Sequence, residues 1–344
     1  MKKLTLAAAA MAMLFCFASC SEKEGVYNPK QKIEKISESA THTTEYYDSD
    51  SHSWGNSYTE TTSKHLAQRW TWDDNTVTMI EYLNLDGTVY STSTFKYDDD
   101  RLVRIENGNE YAVITYNGKK LNTVEMHSPA DSDEKSVEED ITVYTMYYDG
   151  DKITKINVTG PSDMMFKKSQ LKSTLYSTLL PKQMDDIFAK ASSIIDKKAG
   201  KGAKGESQMS ADINLVWTGD NVTKMSTNAD MGFLKMDVTE TYTFDKKNNP
   251  FKHFVNTFTD GMIFMNENNV LTTTTVSNYA YTFMGESDEE TETNNYTYTY
   301  EYDGKWPTSV TCQYEYIYFE EDDYGNQTPY GRVNNTSTTY YEYK

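Results

Sequence analysis

The sequence predicts a mainly β protein, an antiparallel, repeat-built rolled sheet (a superroll) with one inserted helical hairpin. A short unit recurs in it: an aromatic residue, a polar turn that usually contains Gly, and apolar residues five and eight positions after the aromatic. It is plainest at Tyr148, with Ile153 and Ile156. Asp-Gly and Asn-Gly pairs recur as well, and tight hairpins need them because Gly and Asn tolerate positive φ. One stretch alone, residues 161–205, has a helical period.

Each copy of the unit predicts the end of one strand, a tight turn and the start of the next strand. Consecutive hairpins make an antiparallel meander, so we expect residues 33–160 and 206–344 to complete the same sheet. The further copies begin at Trp72, Tyr97, Tyr116, Trp217, Phe244 and Tyr302.

The predicted helical insertion with its linker covers residues 161–205. Pro161 with Ser162 or Asp163 is a helix-start signal. Leucines four apart then lie on one face, and Pro181 begins a second helix with apolar residues at spacings of three and four. Residues 199–205 form a Gly- and Lys-rich linker.

Composition and charge argue against a disordered chain and against a nucleic-acid-binding protein. Aromatic residues make up 13% of the 344 residues, and disordered chains are poor in them. The formal charge is −19, and no basic arm offsets it, so we expect no binding to nucleic acid.

The first 19 residues are predicted to be a lipoprotein signal peptide. Lys2 and Lys3 precede an apolar run that is shorter than the roughly 20 residues needed to span a bilayer. The sequence Phe17-Ala18-Ser19-Cys20 resembles a bacterial lipobox, which implies lipidation of Cys20 and a membrane as partner. The alternative is an ordinary signal peptide followed by a chance Cys.

Residues 20–32 are predicted to be a polar tether. Within it, Ser21-Glu22-Lys23-Glu24 resembles the acidic tag that sends Bacteroidetes lipoproteins to the outer face of the outer membrane. The alternative is a charged, solvated tether. We therefore expect a lipid-anchored outer-membrane protein at the cell surface.

A second resemblance lies in residues 245–271. Asn248-Asn249-Pro250-Phe251 and Asn266-Glu267-Asn268-Asn269-Val270 resemble a segment of secreted Bacteroidetes lipoproteins in a family of unknown function. The hairpin units are similar to the tyrosine-aspartate (YD) repeats of Rhs proteins. The resemblance implies a β-rich superroll and carries over no activity and no site residues.

Two rows of alternate tyrosines are the feature with the most potential for binding. Tyrosine combines an apolar face with a hydroxyl group, which suits stacking on sugar rings or forming an interface. The structural alternative is that the rings fill the inner face of a sheet, where cross-strand aromatic pairs are stabilising. The candidate residues are Tyr296, Tyr298, Tyr300, Tyr314, Tyr316 and Tyr318.

We expect no enzymatic activity, no metal site and no cofactor. The five histidines are scattered without paired spacing, and the acidic clusters fall at turns and lack an EF-hand pattern. Cys312 is expected to be a buried, inert thiol.

The favoured function is a non-enzymatic, surface-exposed binding or structural protein, with glycan, protein or another envelope component as ligand. A second hypothesis is a periplasm-facing lipoprotein that shelters an apolar ligand against Leu171, Leu175, Ile187, Phe188 and Ile194. A third is a hydrolase, whose two carboxylates the sequence does not single out.

Overall fold

The computed structural model describes residues 23–48, 51, 53–129, 139–161, 208–230, 234–255, 263–283, 286–321 and 327–344. These residues form one closed antiparallel barrel in which each strand pairs with its neighbours in sequence. The strands are β1 (Ile33–Asp48), β2 (Ser53–Asp73), β3 (Thr76–Leu83), β4 (Val89–Asp98), β5 (Arg101–Asn107), β6 (Glu110–Asn117), β7 (Lys120–Pro129), β8 (Glu139–Asp149), β9 (Lys152–Pro161), β10 (Gln208–Thr218), β11 (Asn221–Asp230), β12 (Leu234–Phe244), β13 (Val270–Phe283), β14 (Glu286–Asp303), β15 (Trp306–Glu321) and β16 (Gln327–Tyr343).

The barrel closes because the first and last strands pair. The register of β1 and β16 runs from Ile33 opposite Tyr343 to Tyr46 opposite Gly331. The prediction of antiparallel strands is confirmed, but that of a rolled sheet with an inserted helical hairpin is wrong. The sheet has no open edge between β1 and β16, and the described residues contain no α-helix. Residues 162–207, which include nearly all of the predicted hairpin, lie outside the described residues.

Alternation of apolar and polar residues decides which face of each strand points inward. In β5, a bulge at Val103 puts both Leu102 and Ile105 on the inner face, where they are buried, whereas Arg104 and Glu106 form an ion pair of 2.7 Å on the outer face. The same pattern holds around the barrel, so an apolar core lies inside and charged pairs such as Lys155 with Asp212 lie outside.

Predicted turns join the strands. Asn117-Gly118 connects β6 to β7 and Asp149-Gly150 connects β8 to β9, with φ of +60° and +57° at the two glycines. A side chain at such φ would be strained, which explains the glycines. We call this end of the barrel the closed rim. It consists of the turns at 73–76, 98–101, 117–120, 149–152, 218–221 and 303–306 and the loop 245–269.

Two segments fill the closed rim. The loop 245–269 carries a 3-10 helix at Ile263–Met265 and buries Phe251 and Phe254 inside the barrel. Residues 23–32, expected to be a tether, pack across the rim and bury Tyr27, whose ring lies 4.6 Å from that of Phe254. We call residues 23–32 the strap.

The strands differ greatly in length. β2 has 21 residues and β14 has 18, whereas β5 has seven and β6 has eight. At about 3.3 Å per residue, the wall formed by β14–β16, β1 and β2 therefore rises roughly 25–45 Å beyond β5 and β6, before any tilt. No described helix is long and apolar enough to cross a membrane.

Candidate functional site

The predicted tyrosine rows lie on the inner face of the tall wall. Tyr296 and Tyr298 of β14 are buried, while Tyr300, Tyr314 and Tyr316 are half-buried. Tyr296 is the register partner of Tyr314 on β15, and their ring centroids are 5.1 Å apart. Strand pairing thus brings the two rows together. The side chain of Tyr318 lies outside the described residues. We call the inner face of β13–β16 and β1 the tyrosine wall.

Burial separates the rows into two levels. Tyr298 lies beside Cys312, its register partner, and burial raises the pKa of both groups, that of the Cys312 thiol to about 12. These deep residues belong to the core. Tyr314 and Tyr316, one and two inner positions further from the closed rim, keep part of their rings exposed. At the end opposite the closed rim, Tyr314 and Tyr316 are therefore the described tyrosines of the two rows that can meet a ligand.

Polar groups border the upper level on the neighbouring strands. His42 of β1 and Asn335 of β16 are register partners, and His42 Nδ1 is 2.6 Å from Asn335 Oδ1. Asn335 in turn pairs with Tyr314. An aromatic ring flanked by an imidazole and an amide offers stacking together with hydrogen bonding, which suits a polar ligand with apolar faces. Sequence reasoning missed His42 and Asn335, because they meet only when the barrel closes.

Two carboxyl groups on the inner face have raised pKa values. Burial raises the pKa of Glu38 on β1 to about 8, and burial also raises that of Glu240 on β12. Such groups mark candidate functional sites. Glu240 is 4% exposed and accepts hydrogen bonds from the hydroxyls of Tyr242 and Thr275. Its oxygens are therefore enclosed by the protein.

The two carboxyl groups are not neighbours in the sheet. Four strands separate β1 from β12, which corresponds to about 24 Å along the sheet. A glycosidase needs carboxyl groups no more than about 9.5 Å apart on either side of the substrate. The five residues proposed to shelter an apolar ligand, between Leu171 and Ile194, lie outside the described residues. In the described ranges, no three His, Cys, Asp or Glu side chains come together to hold a metal ion.

The closed rim contains a repeating network that the sequence unit encodes. The aromatic residue of one unit donates a hydrogen bond to a backbone carbonyl of the preceding unit. The acceptor is the apolar residue that lies five positions after that unit's own aromatic residue. Tyr97 donates to Val77 at 2.8 Å, and Tyr116 donates to Leu102 at 2.6 Å. The other contacts of this kind join Tyr148 to Leu121, Trp217 to Ile153 and Tyr343 to Pro307.

In several units, a basic residue four positions after the aromatic adds a second link to the neighbouring unit. Arg101 stacks on the ring of Tyr116, with its guanidinium carbon 4.1 Å from the ring centroid, and donates to the carbonyl of Gly118. Lys120 makes the same two contacts with Tyr148 and Gly150. In the rim, these aromatic and basic side chains thus hold neighbouring units together.

No protein-family model and no curated protein matches the sequence. Among solved structures, the chain is similar to the outer membrane channel DcaP of Acinetobacter baumannii, with 9% identity over 92% of this chain and 99% of that one, at a TM-score of 0.24. OpdQ of Pseudomonas aeruginosa aligns at 10% identity over 92% and 99% of the two chains, with a TM-score of 0.20. OccAB4 of Acinetobacter baumannii aligns at 8% over 92% and 100%, with a TM-score of 0.24. At such scores the alignments carry no argument about function.

The polarity of this barrel is the reverse of that of a membrane-spanning one. Barrels that cross a membrane present an apolar band to lipid and enclose a polar interior. Here Arg69 and Glu81 pair at 2.6 Å on the outer face, and Lys96 and Glu106 pair at 2.7 Å, whereas the inner face of β3–β11 is largely aliphatic. The outer face of the described strands is therefore suited to contact with water.

Proposed function

We propose that the protein is a lipid-anchored, non-enzymatic protein of the outer membrane that displays the tyrosine wall at the cell surface as a binding face. Glycan is the preferred ligand class, ahead of protein and of other envelope components. The anchor is the acylated Cys20, and the wall points away from the membrane.

The docked strap is the observation that carries this proposal. Lys23 pairs with Asp100 at 2.6 Å, and the Glu24 carboxylate accepts a hydrogen bond of 2.6 Å from the Leu121 amide. Cys20 precedes Lys23 by three residues, which span at most about 11 Å. An acyl chain on Cys20 would therefore hold the closed rim against the membrane, and the upper tyrosines at the other end would face outward.

The exposed half of the tyrosine wall supports a binding role. Tyr314 and Tyr316 present ring surface beside His42 and Asn335 at the end opposite the strap. The closed rim, in contrast, is filled by Phe251, Phe254 and Tyr27, which leaves it no room for a channel.

Fractionation of cells that express Cys20→Ala tests the anchor. The wild-type chain should partition into the detergent phase and the variant into the aqueous phase. A matched Cys312→Ala variant should behave as wild type because that thiol lies inside the barrel. Detergent-phase partitioning of Cys20→Ala would refute lipidation.

Protease treatment of intact cells tests surface display. The protein should be cleaved while a soluble periplasmic protein in the same cells stays intact. Protection of the chain in intact cells, with cleavage after the outer membrane is opened, would place it on the periplasmic side and refute display.

A further inference from the structure

Two buried polar atoms at the base of the exposed part of the tyrosine wall have no hydrogen-bond partner among the described residues. Glu38 of β1 and Thr339 of β16 are register partners, so their β-carbons lie about 4.5–5.5 Å apart. Glu38 Oε1 and Thr339 Oγ1 are both buried, and neither makes a hydrogen bond with any described residue. Buried polar atoms are nearly always paired, so this adjacent pair indicates a missing partner.

Two small residues lie directly above the pair. The next inner positions on the two strands are Ala40, which is exposed, and Ser337, which is half-buried. Beyond them, His42 and Asn335 make their contact. Glu38 as a whole residue keeps some exposure although its Oε1 has none. From the small side chains above it, we infer that the pair is the floor of a recess along the tyrosine wall.

The electrostatics of the floor favour an uncharged partner. With a pKa of about 8, Glu38 is mostly protonated at neutral pH and offers one donor and one acceptor. The Thr339 hydroxyl also donates and accepts. In the register, the titratable side chains nearest Glu38 on the inner face are His65, its partner on β2, His42, two inner positions further up β1, and Tyr341 of β16, one inner position below Thr339. A carboxylate ligand would lack a fixed cation at this floor.

We propose that Glu38 and Thr339 bind a hydroxyl group of an uncharged sugar at the base of the tyrosine wall. A sugar hydroxyl donates and accepts a hydrogen bond at once, so it can form a hydrogen bond with each of the two side chains. Tyr314 lies two inner positions further up β15, about 13 Å along the strand, so an adjoining sugar ring of the same glycan lies against its exposed face. This site rests on the proposed binding function and specifies its ligand as a neutral glycan.

The test uses the soluble Cys20→Ala chain and calorimetric titration with hexasaccharides. The neutral probes are maltohexaose, mannohexaose and xylohexaose, and the charged probes are hexagalacturonate and the chitosan hexamer. At least one neutral probe should bind. Glu38→Gln, which keeps the hydrogen bonds without the titration, should bind within about threefold of wild type, and Glu38→Ala at least about tenfold more weakly.

Matched variants and pH sharpen the result. Thr339→Val should weaken binding, whereas Thr338→Val, at the adjacent outward position where the hydroxyl pairs with Thr311 at 2.9 Å, should not. Wild-type binding should weaken as the pH rises above about 8, and Glu38→Gln binding should not. Thermal unfolding verifies that each variant is folded. If Glu38→Ala fails to fold, Glu38→Gln and Thr339→Val decide.

Three outcomes would overturn the site: binding of the charged probes alone, equal loss in Glu38→Gln and Glu38→Ala, or no neutral probe bound at millimolar concentration. The last would leave a buried water as the partner of the two side chains. None of these outcomes bears on lipidation, which fractionation tests separately.

Discussion

The hydroxyl of Tyr148 donates a hydrogen bond of 2.8 Å to the backbone carbonyl of Leu121, which belongs to the preceding repeat unit. The same hydroxyl lies 2.7 Å from Glu24 Oε2, in the strap. One side chain thus joins two repeat units and the N-terminal segment. Because the Leu121 amide also donates to Glu24, the three residues form a small closed network at the rim.

Tyr148→Phe should destabilise the protein. The change removes contacts to Leu121 and Glu24 and leaves the Leu121 carbonyl without this donor, so we expect a loss of about 1–3 kcal/mol in the free energy of unfolding. Tyr147→Phe is the matched control, since Tyr147 is the neighbouring residue and half of it is exposed. Urea unfolding of both variants measures the effect, and equal stabilities would contradict a stabilising role for the network.

Much of this rim could be predicted from the sequence. The repeat unit places an aromatic residue before each turn and an apolar residue five positions later, and both occupy the expected places at Tyr97 and Leu102. The hydrogen bond between units could not be predicted, because it joins the aromatic to a backbone group of a neighbouring hairpin. A signal was present, since Trp72, Tyr97, Tyr116 and Tyr148 all carry a donor group.

Closure of the barrel and the floor of the site could not be predicted. Both depend on the pairing of β1 with β16, the first and last strands of the chain, which no local pattern encodes. The unpartnered pair of Glu38 and Thr339 exists only in that register. The burial of the individual tyrosines could not be predicted either. Alternation predicts that Tyr298 and Tyr314 lie on the same face of the sheet but not how far each lies from solvent.

Stability should fall as the pH rises from about 4.5 to about 8. Over this range folded Glu38 keeps a proton that the unfolded chain has lost, because burial raises its pKa from 4.5 to about 8. Unfolding therefore releases a proton, and the free energy of unfolding decreases with pH. Glu38→Gln should reduce this fall, whereas Glu34→Gln, at an exposed position, should not. An identical pH dependence in wild type and Glu38→Gln would show that the carboxyl is ionised when folded.

Cys312 should not react with thiol reagents in the folded protein. The residue is 4% exposed and burial raises the pKa of its thiol to about 12, while the reactive species is the thiolate. In a Cys16→Ala/Cys20→Ala chain, in which Cys312 is the remaining cysteine, labelling should appear only on unfolding in urea. Gln313→Cys, at the adjacent exposed position, provides the positive control. Rapid labelling of Cys312 in the native state would show that the deep part of the tyrosine wall opens to solvent.

Phe254→Ala should destabilise the protein by disrupting the packing of the closed rim. The ring of Phe254 lies 4.6 Å from Tyr27, 5.1 Å from Trp70 and 5.7 Å from Phe95, so it joins the loop to the strap and to two strands. Loss of a buried Phe costs about 3–5 kcal/mol. Leu85→Ala, at a residue that is 68% exposed, should change the unfolding free energy little. A small effect of Phe254→Ala in urea unfolding would contradict tight packing of Phe254 in the closed rim.

Gly25→Ala should release the strap from the rim. Gly25 has a φ of +79°, and an added β-carbon would lie 1.9 Å from Tyr116 Oη, whose hydroxyl is held by the Leu102 carbonyl. Gly87 is the matched control, because its φ is +82° but no heavy atom lies within 4 Å of an added β-carbon. Gly87→Ala should cost only the conformational strain of about 1–2 kcal/mol, whereas Gly25→Ala should cost more and expose residues 23–32 to protease. Equal losses in the two variants, with residues 23–32 as sensitive to protease in wild type as in Gly25→Ala, would contradict a docked strap and remove the geometric support for an anchor beside the closed rim.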